Sequence, residues 1–398
     1  MTRLRLLLPV LLVILWSVDT HAHDSSAWGG LFRSRDNGAR WLPVHEGRFI
    51  GGALGLAISP SDVHHLLLAT DSGLLRSRNG GRDWTIEAPD VLLGGVFAAA
   101  FDGDGVRALA STARGLFRTE DGLTWQQALL PKEALPARAI ARGTAGGRAY
   151  LAGMGGFWRS DDWGASWTAG GDGLPEGSVS ALIVLSGPPE TIYAVVGGRL
   201  WTSADGARSW EPSDGGMPEG AVDTVASGTG DTAPLWAVAA DQVYRSDDRG
   251  RTWRPVGRPL AEPNTSVRGI AVAAPGPAIV LTTHRGLFRS TNGGQTWELQ
   301  EGMLPAHLEA GPLVRDPADP TTLYAGFALT PYDEMWRMAT EGGSMLGRLD
   351  ALSLAGGVAF LVVVALAAGA SLRWLRRYYP APAGRAASPE AGAGGPAR

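Results

Sequence analysis

Seven tryptophans, Trp41, Trp84, Trp125, Trp167, Trp210, Trp253 and Trp297, recur along the chain at intervals of 43, 41, 42, 43, 43 and 44 residues. Each closes a related segment. The first reads Phe32-Arg33-Ser34-Arg35-Asp36-Asn37-Gly38-Ala39-Arg40-Trp41, and counterparts begin at Leu75, Phe117, Trp158, Trp201, Tyr244 and Phe288. So regular a period marks a repeat architecture in which one supersecondary unit is stacked on its own copies. An acidic or amide residue stands at a fixed place in every copy: Asp36, Asn79, Asp121, Asp162, Asp205, Asp248 and Asn292. Such a side chain closes a turn by accepting backbone N–H bonds. The glycine after it, as at Gly38, Gly81, Gly164, Gly250 and Gly294, frees the backbone for the reversal. The tryptophan then offers a large apolar body to a neighbouring sheet. Two copies depart from the pattern: the third is one residue short, and the fifth has Ala207 where the later glycine falls.

The rest of a unit can be read around each segment. Ahead of Phe288 lie Ser266–Val272 and, after a Pro/Gly turn, Ala278–Thr282, two short apolar runs with strand character. The repeated segment adds a third strand before its turn and a fourth after it. Four strands per roughly 40–45 residues predict a propeller blade. The first repeat lacks its two inner strands, whereas Leu313–Phe327 supplies two strands without a complete repeat. The expected fold is therefore an all-β, seven-bladed propeller closed by overlap of N- and C-terminal strands, with a single transmembrane helix after it. Trp336-Arg337-Met338 followed by Glu341-Gly342-Gly343 resembles an eroded further copy, which keeps an eighth blade open.

The repeated segment resembles the Asp-box, or bacterial neuraminidase repeat, S-x-D-x-G-x-x-W, and the resemblance spans residues 27–345. Three families with such boxes differ in what they imply. A sialidase implies an Arg-Ile-Pro motif, but Phe32-Arg33 runs on into Ser34 and no Arg-Ile-Pro exists in the chain. A sortilin-like receptor implies a cysteine-rich module, and the chain has no cysteine. The photosystem II assembly-factor propellers, exported and seven-bladed, are the most similar class. That resemblance implies a binding scaffold for a membrane-protein subunit, with no catalysis and no cofactor.

Flanking segments predict where the propeller resides. Arg3 and Arg5 precede the apolar run 6–16 and Thr20-His21-Ala22, which reads as a signal peptide over 1–22, with an uncleaved anchor as the other reading. Residues 351–372 contain no charged side chain and are long enough to span a bilayer. Arg373, Arg376 and Arg377 follow at once, so the positive-inside rule puts the tail 373–398 in the cytoplasm. The expected order is a leader (1–22), the propeller (23–345), a short stalk (346–350), the span (351–372) and a Pro/Ala/Gly-rich tail. Lys132 is the only lysine, and the Arg, Ala and Gly bias points to a bacterial periplasm beside the inner membrane. Two of the 35 basic residues lie in the leader and five after residue 350, against two of the 39 acidic residues outside the same limits, leaving the domain near −9. That charge argues against nucleic acid as a partner.

Candidate site residues are those that depart from the repeat. Loops joining the second and third strands of each blade gather on one face, and they carry Asp71, Ser72, Arg114, Met154, Arg199, Asp241, His284 and Arg285. Arg114, Arg199 and Arg285 come from different blades, and their forked donors suit a carboxylate; the alternative is three solvated loop arginines. Tyr332, in the insertion 330–334, is a further binding candidate or part of the stalk. Arg33, Arg76, Arg118, Arg159, Arg245 and Arg289 share one repeat position, and Tyr150, Tyr193 and Tyr324 another, which argues for structural roles. His64 and His65 have no partners at metal-ligand spacing, so no metal is expected. The expectation for activity is a non-catalytic, membrane-tethered protein binder. A glycoside hydrolase or carbohydrate-binding propeller is the alternative, with Tyr332 and Glu334 as the pair to test.

Overall fold

The protein is described by a computed structural model over residues 29–341, apart from 45–49, 229–232, 274 and 306, together with scattered helical positions between 366 and 373. The chain divides into two compact units, Met1–Thr340 and Glu341–Arg398. The leader, the stalk and nearly all of the span and tail lie outside the described residues. Among the described residues no helix is long and apolar enough to cross a membrane.

Alternating short apolar runs and tight turns fold into seven four-stranded antiparallel sheets among the described residues, one per repeat. Blades one to six occupy 53–87, 96–127, 137–169, 179–212, 222–256 and 267–299. The seventh sheet takes Glu309–Arg315 and Leu323–Ala328 from the C-terminal side and Gly30–Ser34 and Leu42–Pro43 from the N-terminal side. Phe32 pairs with Ala325, and Arg33 with Tyr324, so among the described residues the first strand lies against the last.

Each reversal is held by the hydrogen bonds that its sequence supplies. In the first, Ser34 Oγ donates to Asp36 Oδ1 at 2.8 Å and accepts from the Gly38 amide at 2.9 Å, while Asp36 Oδ1 also accepts from the Arg40 amide at 2.9 Å. Ser77, Asn79 and Asp83 repeat the pattern, as do Ser246, Asp248 and Thr252. The two departures keep the turn. In the short third copy Asp121 Oδ1 caps Leu123 and Thr124 instead. In the fifth, Ala207 adopts φ 66° and still donates to Ser203 Oγ at 2.9 Å.

The core lies between neighbouring sheets. Ala57, Leu67 and Leu74 of blade one pack on Phe101, Ala108, Phe117 and Trp125 of blade two, and comparable clusters fill the later junctions. Trp41, Trp84, Trp125, Trp210 and Trp253 are buried, whereas Trp167 and Trp297 remain half-exposed. Some of the indoles also bond backwards: Trp84 Nε1 donates to Val44 O at 2.7 Å and Trp253 Nε1 to Ser213 O at 2.6 Å, whereas the Nε1 atoms of Trp167 and Trp210 are buried without a partner. Three of the six repeated arginines reach forwards, while Arg76, Arg118 and Arg245 pair with acidic residues of their own blade. Arg33 donates to Gly80 O, Arg159 to Gly206 O and Arg289 to Asn37 O, each in the turn of the next blade. Tyr150, Tyr193 and Tyr324 are buried in the core.

The open alternative of an eighth blade is not realised among the described residues. Trp336-Arg337-Met338 does not form an eighth hairpin but lies in a helix, α1 (Tyr332–Glu341). Pro331 precedes its first turn, and Asp333 and Glu334 within that turn complement the positive end of the helix dipole.

Candidate binding site at the channel mouth

All seven innermost strands begin with a β-bulge. Register shifts separate Ala53 from Gly55, Val96 from Ala98, Ala137 from Ala139, Val179 from Ala181, Val222 from Thr224, Val267 from Gly269, and Ala310 from Leu313. A bulge inserts a residue that the ladder does not use and re-aims its side chain. Those residues are Leu54, Phe97, Arg138, Ser180, Asp223 and Arg268, with Gly311 and Pro312 in blade seven. Except for Phe97, all of them line one cavity of about 320 Å³. Phe97, Arg138, Ser180 and Arg268 also border a second space of about 330 Å³, which runs between all seven innermost strands. The bulges thus form a ring at the mouth of the central channel, and the channel behind is largely aliphatic, with Leu56, Ile140, Leu182 and Ile270 on its wall.

Helix α1 covers this ring. Tyr332 is 5% exposed; its hydroxyl donates to Ala53 O at 2.6 Å, and its amide donates to Glu309 Oε2 at 2.9 Å. The ring fits only because residue 311 is glycine: a Cβ there would stand 2.0 Å from the Tyr332 oxygen. Trp336 stacks on Phe97 with ring centroids 4.6 Å apart, and the Arg138 guanidinium carbon lies 4.6 Å from the Trp336 ring. Arg268 lies 5.1 Å from the Tyr332 ring, pairs with Glu309 at 3.0 Å and approaches Asp333 at 3.9 Å.

The electrostatics of the mouth are unbalanced. Arg138 Nε and Arg268 Nη1 are buried and have no hydrogen-bond partner, and Arg138 has no ion pair among the described residues. Burial, reinforced by the neighbouring Arg268 charge and opposed by Asp333, holds Arg138 below its ordinary pKa. Burial raises the Asp223 carboxyl to about 6, helped by Asp241 and opposed by the Val267 amide and Arg268. Two half-satisfied guanidinium groups, a carboxyl that is neutral only below about pH 6, and aromatic faces beside them suit capture of an anionic, aromatic group.

Of the residues anticipated from sequence, only Tyr332 lines this cavity. Arg114, Arg199 and Arg285 lie at turns between second and third strands, at the same end of the blades, but do not border it. Arg199 pairs with Asp214 at 2.9 Å and Glu219 at 3.5 Å, and Arg285 pairs with Glu262. Asp241 caps the Asn264 and Thr265 amides at 2.8 and 2.7 Å, and His284 Nδ1 accepts from the Ser266 amide at 3.0 Å. Asp71 is largely buried against Gly51 and Gly95, and burial raises its pKa. The pairing of Tyr332 with Glu334 does not form: the tyrosine hydroxyl is spent on Ala53, burial raises its pKa, and Glu334 pairs with Arg337. Among the described residues no group of three or more His, Asp or Glu side chains is placed to hold a metal ion.

No protein-family model matches the sequence, and no curated protein does either. Solved structures do match the fold. The chain is similar to YCF48 bound to D1 peptide, at 19% identity and a TM-score of 0.51, over 70% of this chain and 93% of that one. It is similar to YCF48 from Cyanidioschyzon merolae at 15% identity and a TM-score of 0.52, over 70% and 96%. The GH74 xyloglucanase from Xanthomonas campestris matches at 20% identity and a TM-score of 0.54, over 72% of this chain and 55% of the enzyme. At these identities the shared property is the seven-bladed scaffold.

Proposed function

We propose that this protein is a non-catalytic binding scaffold that captures a segment of a membrane or envelope protein on the mouth face of its propeller. The observation that carries the reading is the pair Arg138 and Arg268, each stacked on an aromatic ring and each with a buried N–H unspent. A buried donor without a partner costs free energy that a ligand acceptor recovers. A propeller of the same fold, YCF48, has been solved with a D1 peptide, which supports the use of this scaffold for peptide capture. Contacts extend from the bulge ring to the surrounding loops, with Arg114, Arg199, Arg285, Asp71, Asp241 and His284 as the wider rim. The ring is closed by overlap of terminal strands, and the leader and the span 351–372 hold the propeller in the periplasm at the inner membrane. Tethering raises the effective concentration towards membrane partners without new contacts.

Affinity capture with the full chain from detergent-solubilised membranes tests the reading. Wild type should recover a discrete protein partner, and Arg138→Ala with Arg268→Ala should lose it while still unfolding in one cooperative transition above the assay temperature. Replacing Arg114, Arg199 and Arg285 together should weaken capture less. Recovery of the chain alone, or capture indifferent to Arg138 and Arg268, would sink the proposal.

A second reading, glycoside hydrolysis, is supported by Asp223, whose carboxyl keeps its proton to about 6 as a general acid requires. Release of reducing sugar from xyloglucan or a sialoside, lost in Asp223→Asn, would favour it over the scaffold.

A further inference from the structure

Helix α1 is not held evenly. Its N-terminal end is locked by the Tyr332 hydroxyl on Ala53 O, by the amide cap on Glu309 and by the gap at Gly311. One turn further on, Trp336 reaches the mouth through ring faces alone, between Phe97 and the Arg138 guanidinium. Tyr332, Met335 and Trp336 stand at i, i+3 and i+4 and present a single face to the ring.

That face satisfies the aromatic half of the site and leaves the charged half incomplete. The carboxylate that the helix brings nearest to the arginines, Asp333, is 84% exposed and stays 3.9 Å from Arg268. Arg138 has no ion pair among the described residues, and a donor on each guanidinium is buried without a partner. A helix that had evolved only to seal the channel would be expected to meet those charges or to replace them. Arginine instead stands where a planar carboxylate would complete its hydrogen bonds.

We propose that Trp336 is a built-in occupant of the partner site, and that the partner, a protein segment with an aromatic residue beside a carboxylate, displaces it from between Phe97 and Arg138 and supplies the carboxylate that Arg138 lacks. The proposal rests on the reading of the mouth as the partner site. Displacement turns α1 about its Tyr332 anchor and lifts Met335 from its contacts with Ala328 and Leu54. Capture is then competitive with the chain's own helix, and the apparent affinity falls by the fraction of molecules in which the mouth is covered.

The test uses the full chain in detergent and two end-capped, fluorescein-labelled hexapeptides, Gly-Ser-Trp-Asp-Ser-Gly and the same peptide with Asn for Asp, with binding followed by anisotropy. Trp336→Ala should bind the Asp peptide about tenfold more tightly than wild type. The Asn peptide should show no such gain, and Arg138→Ala in the Trp336→Ala background should abolish it. If Trp336→Ala lowers the melting temperature, Trp336→Leu keeps apolar bulk against Phe97, removes the ring from Arg138, and should give the same ordering. Equal binding by wild type and both Trp336 variants, or equal binding of the two peptides, overturns the proposal. Capture from membranes separates the two levels. If capture needs Arg138 and Arg268 but neither it nor peptide binding responds to Trp336, the displacement proposal fails alone; if capture ignores the arginines, the reading beneath it fails.

Discussion

Nη1 of Arg76 donates to Nε2 of His65 across 2.6 Å, so this ring nitrogen carries no proton and the imidazole is neutral. The same guanidinium forks onto Glu87 at 2.7 and 2.8 Å, and Glu87 accepts from the indole of Trp125 at 2.9 Å. His65 also packs on Phe101, with centroids 4.7 Å apart. Blades one and two are therefore joined by a polar relay buried beside their apolar contact.

The relay makes stability depend on pH. Burial, then the charges of Arg76 and Arg78, lowers the His65 pKa to about 4 from the ordinary 6.5. Between those values the unfolded chain binds a proton that the folded chain refuses. Stability should be full above pH 6.5 and fall towards pH 4, by up to about 3 kcal/mol. Urea unfolding across this range measures it, and His65→Gln, whose amide oxygen can still accept from Arg76, should flatten the slope. An unchanged slope would remove His65 as its source.

Glu87 should act lower on the pH scale. Burial opposes its ionisation, but the hydrogen bonds from Arg76 and Trp125 outweigh it and hold the carboxyl below its ordinary value. Its contribution is present above the ordinary carboxylate range and is lost only as pH falls through the lowered value. Glu87→Ala leaves Arg76 buried without a counter-charge, and about 3–5 kcal/mol should disappear from the unfolding free energy at neutral pH.

The repeat tryptophans are not equivalent. Trp253 is 6% exposed, whereas Trp297 is only half-buried, although both indoles donate backwards, to Ser213 O and Arg258 O. Trp253→Ala should cost about 3–5 kcal/mol, and Trp297→Ala clearly less. Thermal denaturation of the two variants side by side decides; equal losses would mean that burial does not set their weight.

Gly311→Ala should release the cap. The new methyl would meet the Tyr332 ring, a rigid group with no room to retreat. Hydrogen exchange should show faster exchange across 332–341 with the seven sheets still protected. Retained protection of the helix would mean that the ring shifts within its pocket.

Partner capture should strengthen in mild acid. Asp223 faces Arg268 and feels Asp241, and it shares the mouth with Arg138 and Asp333. Protonation below about 6 removes a negative charge beside the guanidinium and leaves more of its field for a ligand carboxylate. Capture at pH 5.5 should exceed that at 7.5, and Asp223→Asn should erase the difference. The same gap in that variant would point to another group.

The blades were readable because a turn must be closed and a tryptophan buried once per unit, and both demands leave fixed residue types at fixed intervals. Helix α1 is legible in principle: Pro331, Asp333 and Glu334 are helix-start signals, but Trp336-Arg337-Met338 imitates the repeat and masks them. The mouth residues were hidden for a different reason. A bulge has no local mark when the inserted residue is neither Gly nor Pro, so Arg138 and Arg268 read as ordinary strand positions. They stand out only by comparison between repeats, since Leu54, Phe97, Arg138, Ser180, Asp223 and Arg268 occupy one column in which apolar, polar, acidic and basic side chains all occur.

That column has a consequence for how such a protein can change. A residue surplus to the ladder owes nothing to strand pairing or to the turn, although Asp223 and Arg268 also reach the next blade, at the Val267 amide and at Glu309. Substituting it rewrites one sector of the mouth and leaves the four-stranded sheets in place. Recognition is thereby written in an alphabet separate from the one that specifies folding, one letter per blade, and lineages with the same blades can acquire unrelated partners by altering a handful of codons.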